Sequence, residues 1–224
     1  MAPARGNGIR RLLRDLPVFA GATPPFDPAS APVEPLELFE EWLRQAVEAG
    51  VGEPHAAAVA TADAGGAPSV RVLILKDADE RGFSFATSST SRKGRELAER
   101  PEAAMVFHWR EQARQIRLRG PVLIGTPEEN AADFLERSPE GRAAGMHGLQ
   151  SSPLDDPDAV ARAFEDGLSA IEADPRTVPS SWALYRLVPM EAEFWQGHPK
   201  RLHTRLRYSR SSIDDAWRRE LLWP

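Results

Sequence analysis

The densest run of nitrogen-bearing side chains is Arg201-Leu202-His203-Thr204-Arg205-Leu206-Arg207-Tyr208. In an extended strand alternate side chains share a face, so Arg201, His203, Arg205 and Arg207 would stand together. Groups of one charge packed side by side repel unless an anion or ordered carboxylates lie among them. Guanidinium forks match phosphate and carboxylate geometry. The pattern suits an anionic-ligand site; it also suits a solvated basic edge strand. A second concentration is Ser91-Arg92-Lys93-Gly94, at the start of an expected helix. Free backbone N–H groups and the helix dipole favour an anion there, whereas Arg92 and Lys93 oppose the dipole unless a negative ligand is present. Surface charge on a short helix is the alternative. Arg71 and Lys76 bracket the apolar run Val72-Leu73-Ile74-Leu75. Their odd spacing puts them on opposite faces of a regular strand, where they would meet different groups.

Other chemistries find little support. His55, His108, His147 and His198 show no metal-ligand spacing, and no metal site is expected. Ser151-Ser152 and Ser180-Ser181 lack a nucleophile-elbow context. The chain has no cysteine, which removes disulfides, thiolate nucleophiles and iron–sulfur or Cys-based zinc sites. There is no GxGxxG or P-loop motif. With 28 Lys+Arg against 33 Asp+Glu the formal net charge is -5, which argues against nucleic-acid coating. No apolar stretch approaches the roughly 20 residues that span a bilayer. Residues Met1 to Arg14 carry cations but no apolar core of a secretory signal, so a cytoplasmic address is expected. The six tryptophans read as core or interface residues, and Trp195, beside the cationic strand, could wall a planar ring.

The elements that must position these residues are mostly strands. Residues 1–35 are punctuated by Pro24, Pro25, Pro28, Pro32 and Pro35 and read as an arm, with a short helix over Ile9 to Leu16 carrying Leu12, Leu13 and Leu16 on one side. Leu36 to Ala49 reads as a helix burying Leu36, Phe39, Leu43 and Val47, closed by Gly50. Strands are expected at Ala56–Thr61, Ser69–Lys76, Phe83–Thr87, Ala103–Trp109, Arg114–Ile124, Trp182–Val188, Glu191–Trp195, Arg201–Tyr208 and Trp217–Leu222, with turns at Ala64-Gly65-Gly66 and Asp79-Glu80-Arg81-Gly82. Because Val72 to Leu75 is apolar without alternation, that strand is expected to be buried on both faces. Helices are expected at Ser91–Arg100, capped by Ser91, at Pro127–Arg137 and at Pro157–Ala173, the last with Val160, Phe164, Leu168 and Ile171 on one stripe. These strands, joined mainly by turns, predict a mainly β, α+β barrel, and residues 36–224 are expected to form a single domain.

Taken in order, Arg71-Val72-Leu73-Ile74-Leu75-Lys76, Ser91-Arg92-Lys93-Gly94-Arg95, Arg114-Gln115, Gln150-Ser151-Ser152, Glu193-Phe194-Trp195-Gln196-Gly197 and Arg201-Leu202-His203 with Arg205 to Tyr208 resemble the pyridoxamine/pyridoxine 5'-phosphate oxidase family, from about Leu36 to Pro224. The resemblance implies an FMN-binding split β-barrel and a homodimer with FMN at the subunit interface. It implies FMN contacts from Arg71, Val72, Leu73, Ile74, Leu75, Lys76, Ala86, Thr87, Arg92, Lys93, Gln115, Gln150, Ser151, Trp195 and Arg205. Substrate would meet Lys76, Arg137, Arg201 and His203, the last two being the catalytic pair, with Asp133 and Gly141 standing where the family has a Tyr and a Ser. The implied reaction passes a hydride from a pyridoxine or pyridoxamine phosphate to the flavin, and dioxygen then reoxidises the flavin to give peroxide and pyridoxal 5'-phosphate. Thr204 also replaces the usual Asp, and Ala143 to Leu149 lacks the usual aromatic residue. The cofactor half of the pattern is kept and the substrate half is eroded. Two other readings remain: an FMN oxidase of another reduced heterocycle, like the phenazine-biosynthesis members, or a non-catalytic flavin or pyridoxal phosphate binder.

Overall fold

The computed structural model describes residues 7–18 and 23–224. Along them run α1 (Asn7–Asp15), α2 (Pro35–Glu48), β1 (Ala56–Ala62), β2 (Pro68–Asp79), β3 (Gly82–Ser88), α3 (Arg92–Glu99), β4 (Glu102–Trp109), β5 (Arg114–Ile124), α4 (Pro127–Leu135), α5 (Pro139–Gly145), α6 (Asp158–Ala173), β6 (Trp182–Leu187), β7 (Glu191–Gln196), β8 (Thr204–Ser209) and β9 (Arg218–Leu221). Antiparallel ladders join β4-β1-β2-β3-β6-β5, and β4 pairs again with β5. Six strands thus close a barrel, and β7, β8 and β9 extend from β5 as an open flap. β5 serves both bodies: Arg114 to Arg119 pair with β7, and Val122 to Ile124 pair with β6. Gly120 sits where it changes partner, and a Cβ there would lie 2.0 Å from the Val188 carbonyl oxygen.

The barrel interior is built by alternation. Ala57 and Val59, Met105 and Phe107, and Ile116 and Leu118 point inward and are buried. Helix α2 closes one end. Phe39 meets Phe83 edge-on at 4.9 Å between ring centres, and Trp42 meets Phe194 at 5.3 Å. Burying each such side chain contributes about 1.5–3 kcal/mol over leaving it in water. The chain preceding α2 is tied to the same end, with Phe26 edge-on to Trp42 at 5.0 Å and the Tyr208 hydroxyl donating to the Pro32 carbonyl at 2.8 Å. The expected arm falls partly on residues 1–6 and 19–22, outside the described residues. On α1 the expected apolar side, Leu12, Leu13 and Leu16, is exposed. Among the described residues no helix is long and apolar enough to cross a membrane.

Several expectations are corrected. All nine expected strand segments carry strands, but other details differ. The buried face of α2 is Leu38, Phe39, Trp42 and Ala46, and Val47 is exposed; the helix is rotated because its indole, larger than any side chain in the Leu36–Val47 stripe, fills the barrel mouth. On α6 only Ile171 of the expected stripe is buried, because the other end of that stripe borders a cleft. Helix α5 was absent from the sequence reading although Ser138 caps it, its hydroxyl accepting from Gly141 N–H at 3.1 Å, and Pro139 opens it; it has no apolar period to reveal it. The largest correction concerns β2. It is not buried on both faces: Val70 is 68% and Val72 66% exposed. A barrel strand has one face inside, and among the described residues nothing covers the outer face at Val70 and Val72.

Candidate functional site

The site begins with a gap in the barrel wall. β2 and β3 pair only between Leu75–Phe85 and Asp79–Gly82, with a register shift between Leu75 and Asp77. Beyond that point β2 stays with β1 from Ile74 to Pro68, and β3 stays with β6 through Ser88. The two strands part into a slot, with Arg71 to Ile74 on one side and Ala86 to Ser88 on the other. Helix α3 bridges the slot through its own side chains. Its start is fixed by Ser91, whose hydroxyl accepts from Gly94 N–H at 3.2 Å. Gly94 is needed there, since a Cβ would lie 2.3 Å from the Ser89 carbonyl oxygen.

Lys93 is buried at this junction. Its ammonium donates to Thr87 Oγ1 at 2.9 Å, Gln150 Oε1 at 2.8 Å and Ser91 Oγ at 3.2 Å. Burial, and then the charge of Arg71, pull its pKa down to about 8, against the attraction of Glu96. Arg71 donates to Thr61 Oγ1 at 2.7 Å and to the Val59 carbonyl at 3.1 Å, and reaches Glu96 at 3.4 Å. Arg92 Nε donates to Glu96 Oε1 at 2.8 Å, and its backbone N–H donates to Ser151 Oγ at 3.3 Å. Burial alone would raise the Glu96 pKa, but hydrogen bonds from Ser69, Thr61 and Arg92 and the charge of Arg71 outweigh it and hold the carboxyl at about 2. Arg71, Arg92 and Lys93 thus surround one carboxylate, and the excess of positive charge at a helix N-terminus suits a phosphoryl group. Six of the expected cofactor residues, Arg71, Thr87, Arg92, Lys93, Gln150 and Ser151, are brought together here.

The slot opens into a cleft of about 680 Å³ between β3 and the α5–α6 pair. It shares Thr87 and Gln150 with the slot, and its walls include Leu73, Ala86, Leu149, Val160, Phe164 and Trp182. The volume lies within the usual range for small-molecule sites, about 300–1,000 Å³. Arg137 lines it, with its guanidinium 4.4 Å from the Trp182 ring centre and its Nη2 donating to the Gly141 carbonyl at 2.7 Å. Burial lowers the Arg137 pKa, with Asp133 opposing the shift. Lys76 stands at the register shift of β2, where regular alternation is interrupted, and its ammonium lies 4.0 Å from Asp133.

Gln115, Trp195 and Arg205 form a separate row across β5, β7 and β8. In the ring of strands β5 lies opposite β2, so one chain does not place this row at its own slot. The reading of Arg201 to Tyr208 as one strand is corrected. β8 starts at Thr204, and Arg201 takes a left-handed turn with φ 64°, so Arg201 and His203 leave the alternation. Arg205 is paired with Glu193 at 2.8 Å and Arg207 with Glu220 at 2.8 Å; the carboxylates come from neighbouring strands. His203 packs against Trp195 at 4.9 Å, and its Nδ1 accepts from His198 N–H at 3.1 Å, leaving the proton of the neutral ring on Nε2. Burial, then Arg201 and His198, lower its pKa.

The register shows how the parts of one outer surface line up. Residues opposite one another across a ladder share a face, and Val72, Ala58, Val106, Arg117, Glu193 and Arg207 follow one another in this way from β2 to β8. The surface is apolar over β2, β1 and β4 and charged over β5, β7 and β8. The sequence reading missed Glu96 and Trp182. The four-residue spacing from Arg92 to Glu96 was an available signal for the first; Trp182, whose Nε1–H donates to Asp133 Oδ2 at 2.8 Å, meets its partner through tertiary packing and had no local signal.

The family model described as pyridoxamine 5'-phosphate oxidase matches residues 43–169, and that of the pyridoxine 5'-phosphate oxidase C-terminal dimerisation region matches residues 182–224. A pyridoxine/pyridoxamine 5'-phosphate oxidase from Nitrobacter winogradskyi is 42% identical over 193 residues, 85% of this chain and 90% of the relative. One from Paraburkholderia phymatum is 43% identical over 177 residues, 79% and 83%. Among solved structures, PhzG from Burkholderia lata in complex with tetrahydrophenazine-1-carboxylic acid superposes with a TM-score of 0.84 at 36% identity, covering 91% of this chain and all of that one. A pyridoxamine 5'-phosphate oxidase-related, FMN-binding protein from Nostoc punctiforme shares the fold, with a TM-score of 0.69 at 19% identity, covering 88% of this chain and all of that one.

Proposed function

Because the chain belongs to the pyridoxamine 5'-phosphate oxidase family, we propose that it is an FMN-dependent oxidase that takes a hydride from a reduced heterocycle. The observation that carries this reading is the slot, where Arg71, Arg92 and Lys93 gather at the start of α3 beside strand edges that have no ladder between them. Lys93 and Arg71 would hold the FMN phosphate, and the strand edges at Val72–Lys76 and Ala86–Thr87 would flank the rest of the cofactor. When bound, the flavin supplies the two-electron chemistry, taking a hydride from substrate and passing the electrons to dioxygen with release of hydrogen peroxide. The chain itself binds, orients and excludes water. Arg201 and His203 position substrate, His203 holding its proton on Nε2.

The functional unit is a homodimer. The matched C-terminal dimerisation region supports it, and so does the uncovered apolar half of the outer surface. A two-fold axis through that half sets the β7–β8 flap of one copy beside β2 of the other, so Gln115, Trp195 and Arg205 complete the partner's slot.

Two substrates are in view. Curated relatives at about 40% identity carry the name pyridoxine/pyridoxamine 5'-phosphate oxidase, which supports oxidation to pyridoxal 5'-phosphate. The Lys76–Asp133 pair favours the second, a reduced ring acid of the kind bound by the PhzG neighbour. Peroxide release by the FMN-loaded protein in air, measured against pyridoxine phosphate, pyridoxamine phosphate and a panel of reduced heterocycles, tests the reading. Turnover above free FMN on at least one is expected; turnover on none leaves a flavin-binding protein without oxidase activity.

A pH dependence accompanies the phosphate assignment. Lys93 in the free protein loses its proton at about 8, and a phosphate dianion favours the ammonium form. FMN binding therefore takes up a proton above that pH, and affinity is expected to fall by up to about tenfold per pH unit there. Fluorescence titrations of FMN across pH 7 to 10 read this directly; a flat profile would contradict the contact.

A further inference from the structure

At the Trp182 end of the cleft the chain's cations are engaged by the chain itself. Lys76 Nζ lies 4.0 Å from Asp133 Oδ1. The largely buried Asp133 carboxylate also accepts, through Oδ2, from Trp182 Nε1–H at 2.8 Å. Arg137 lines the cleft, yet its Nε and Nη2 donate to the Gly141 carbonyl at 3.2 and 2.7 Å and its plane lies over the Trp182 indole. A phosphate monoester carries between one and two negative charges at neutral pH. Brought here it would stand beside the Asp133 carboxylate, whose side chain is 12% exposed and whose nearest ammonium is already shared, and like charges at such range repel. The adjoining walls, Leu73, Leu149, Val160 and Phe164, offer apolar contact to a flat ring instead.

We propose that Asp133 is a specificity-determining residue, which by neutralising Lys76 and fixing Trp182 makes this end of the cleft take planar rings bearing no charge or one carboxylate and reject phosphate monoesters. The inference deepens the oxidase reading and rests on it for its role in turnover, but the selectivity is measurable by binding alone. The probes are a matched pair with one ring, naphthoate and naphthyl phosphate, titrated calorimetrically into the FMN-loaded protein and into the protein without FMN. Naphthoate is expected to bind at least about tenfold more tightly. Asp133→Asn keeps an oxygen for Trp182 and frees Lys76; in that variant the ratio is expected to move at least about tenfold toward the phosphate, with the melting temperature recording that it folds. Equal binding of the two probes by the unaltered chain, binding of neither, or an unmoved ratio in folded Asp133→Asn would overturn the proposal. If the variant does not fold, the ratio in the unaltered chain decides. Failure of the same samples to bind FMN would remove the oxidase reading and leave the ratio legible.

Discussion

Replacing Lys93 and Arg71 together by Ala is expected to weaken FMN binding by about 10²- to 10⁴-fold, because each charge-assisted contact contributes about 1.5–3 kcal/mol and about 1.4 kcal/mol is a factor of ten. Both side chains are held in place before any ligand arrives: Lys93 by Thr87, Ser91 and Gln150, and Arg71 by Thr61 and the Val59 carbonyl. A phosphate entering the slot therefore meets cations that need little ordering. The double substitution also leaves Glu96 behind with fewer cations around it, so the slot turns from attractive to repulsive for an anion. Glu96 keeps Arg92, Thr61 and Ser69 as partners, which preserves the packing of α3. Arg44→Ala, in the exposed α2 pair with Glu40, is the control and should leave affinity unchanged. The measurement is an FMN dissociation constant from flavin fluorescence, beside a melting temperature for each variant. A double variant that still copurifies yellow, with affinity within tenfold of the parent, would dismiss the slot as the phosphate site.

Asp at position 72 should split the dimer. Val72 is the most exposed residue of the row Val72–Ala58–Val106, on a face that the described residues leave uncovered. Covering a valine contributes up to about 1.5–3 kcal/mol, while an unpaired carboxylate in the same place costs several kcal/mol. Two-fold symmetry enters the change twice, so the dimer dissociation constant is expected to rise by at least about 10³-fold. The isolated chain loses little, since an exposed position seldom contributes more than about 0.5 kcal/mol. On the proposed dimer FMN affinity should fall in parallel, because Gln115, Trp195 and Arg205 of the second copy would leave the slot. Sedimentation velocity at micromolar concentration reads the first effect. A Val72→Asp protein that stays at the mass of two chains would rule out this face as the interface.

The two predictions fall on opposite sides of what was legible. The N-terminus of α3 was readable, because a Ser cap followed by two cations and a glycine is local information, and the structure places Ser91 and Gly94 in those roles. The β1–β2 hairpin and the turn before β3 were readable for the same reason. The face of β2 was not. A run of Val-Leu-Ile-Leu states that both sides avoid water, but it does not state whose atoms cover them. Arg205 and Arg207 carried a similar ambiguity. Their alternation was visible, whereas the carboxylates that answer them, Glu193 and Glu220, arrive through the register of separate strands.

What the amino-acid order determined by itself was the strands and every helix but α5, most of their caps and turns, and a list of cations with no obvious partners. These depend on contacts within a few residues. Tertiary structure alone decided which cations remain available. Closing the barrel opened the β2–β3 slot around Lys93, while packing α4 against β6 brought Asp133 to Lys76 and Trp182. Whether a charge awaits a ligand or has already met a carboxylate depends on groups that are distant along the chain, and their meeting is settled by how the strands register and how the helices dock.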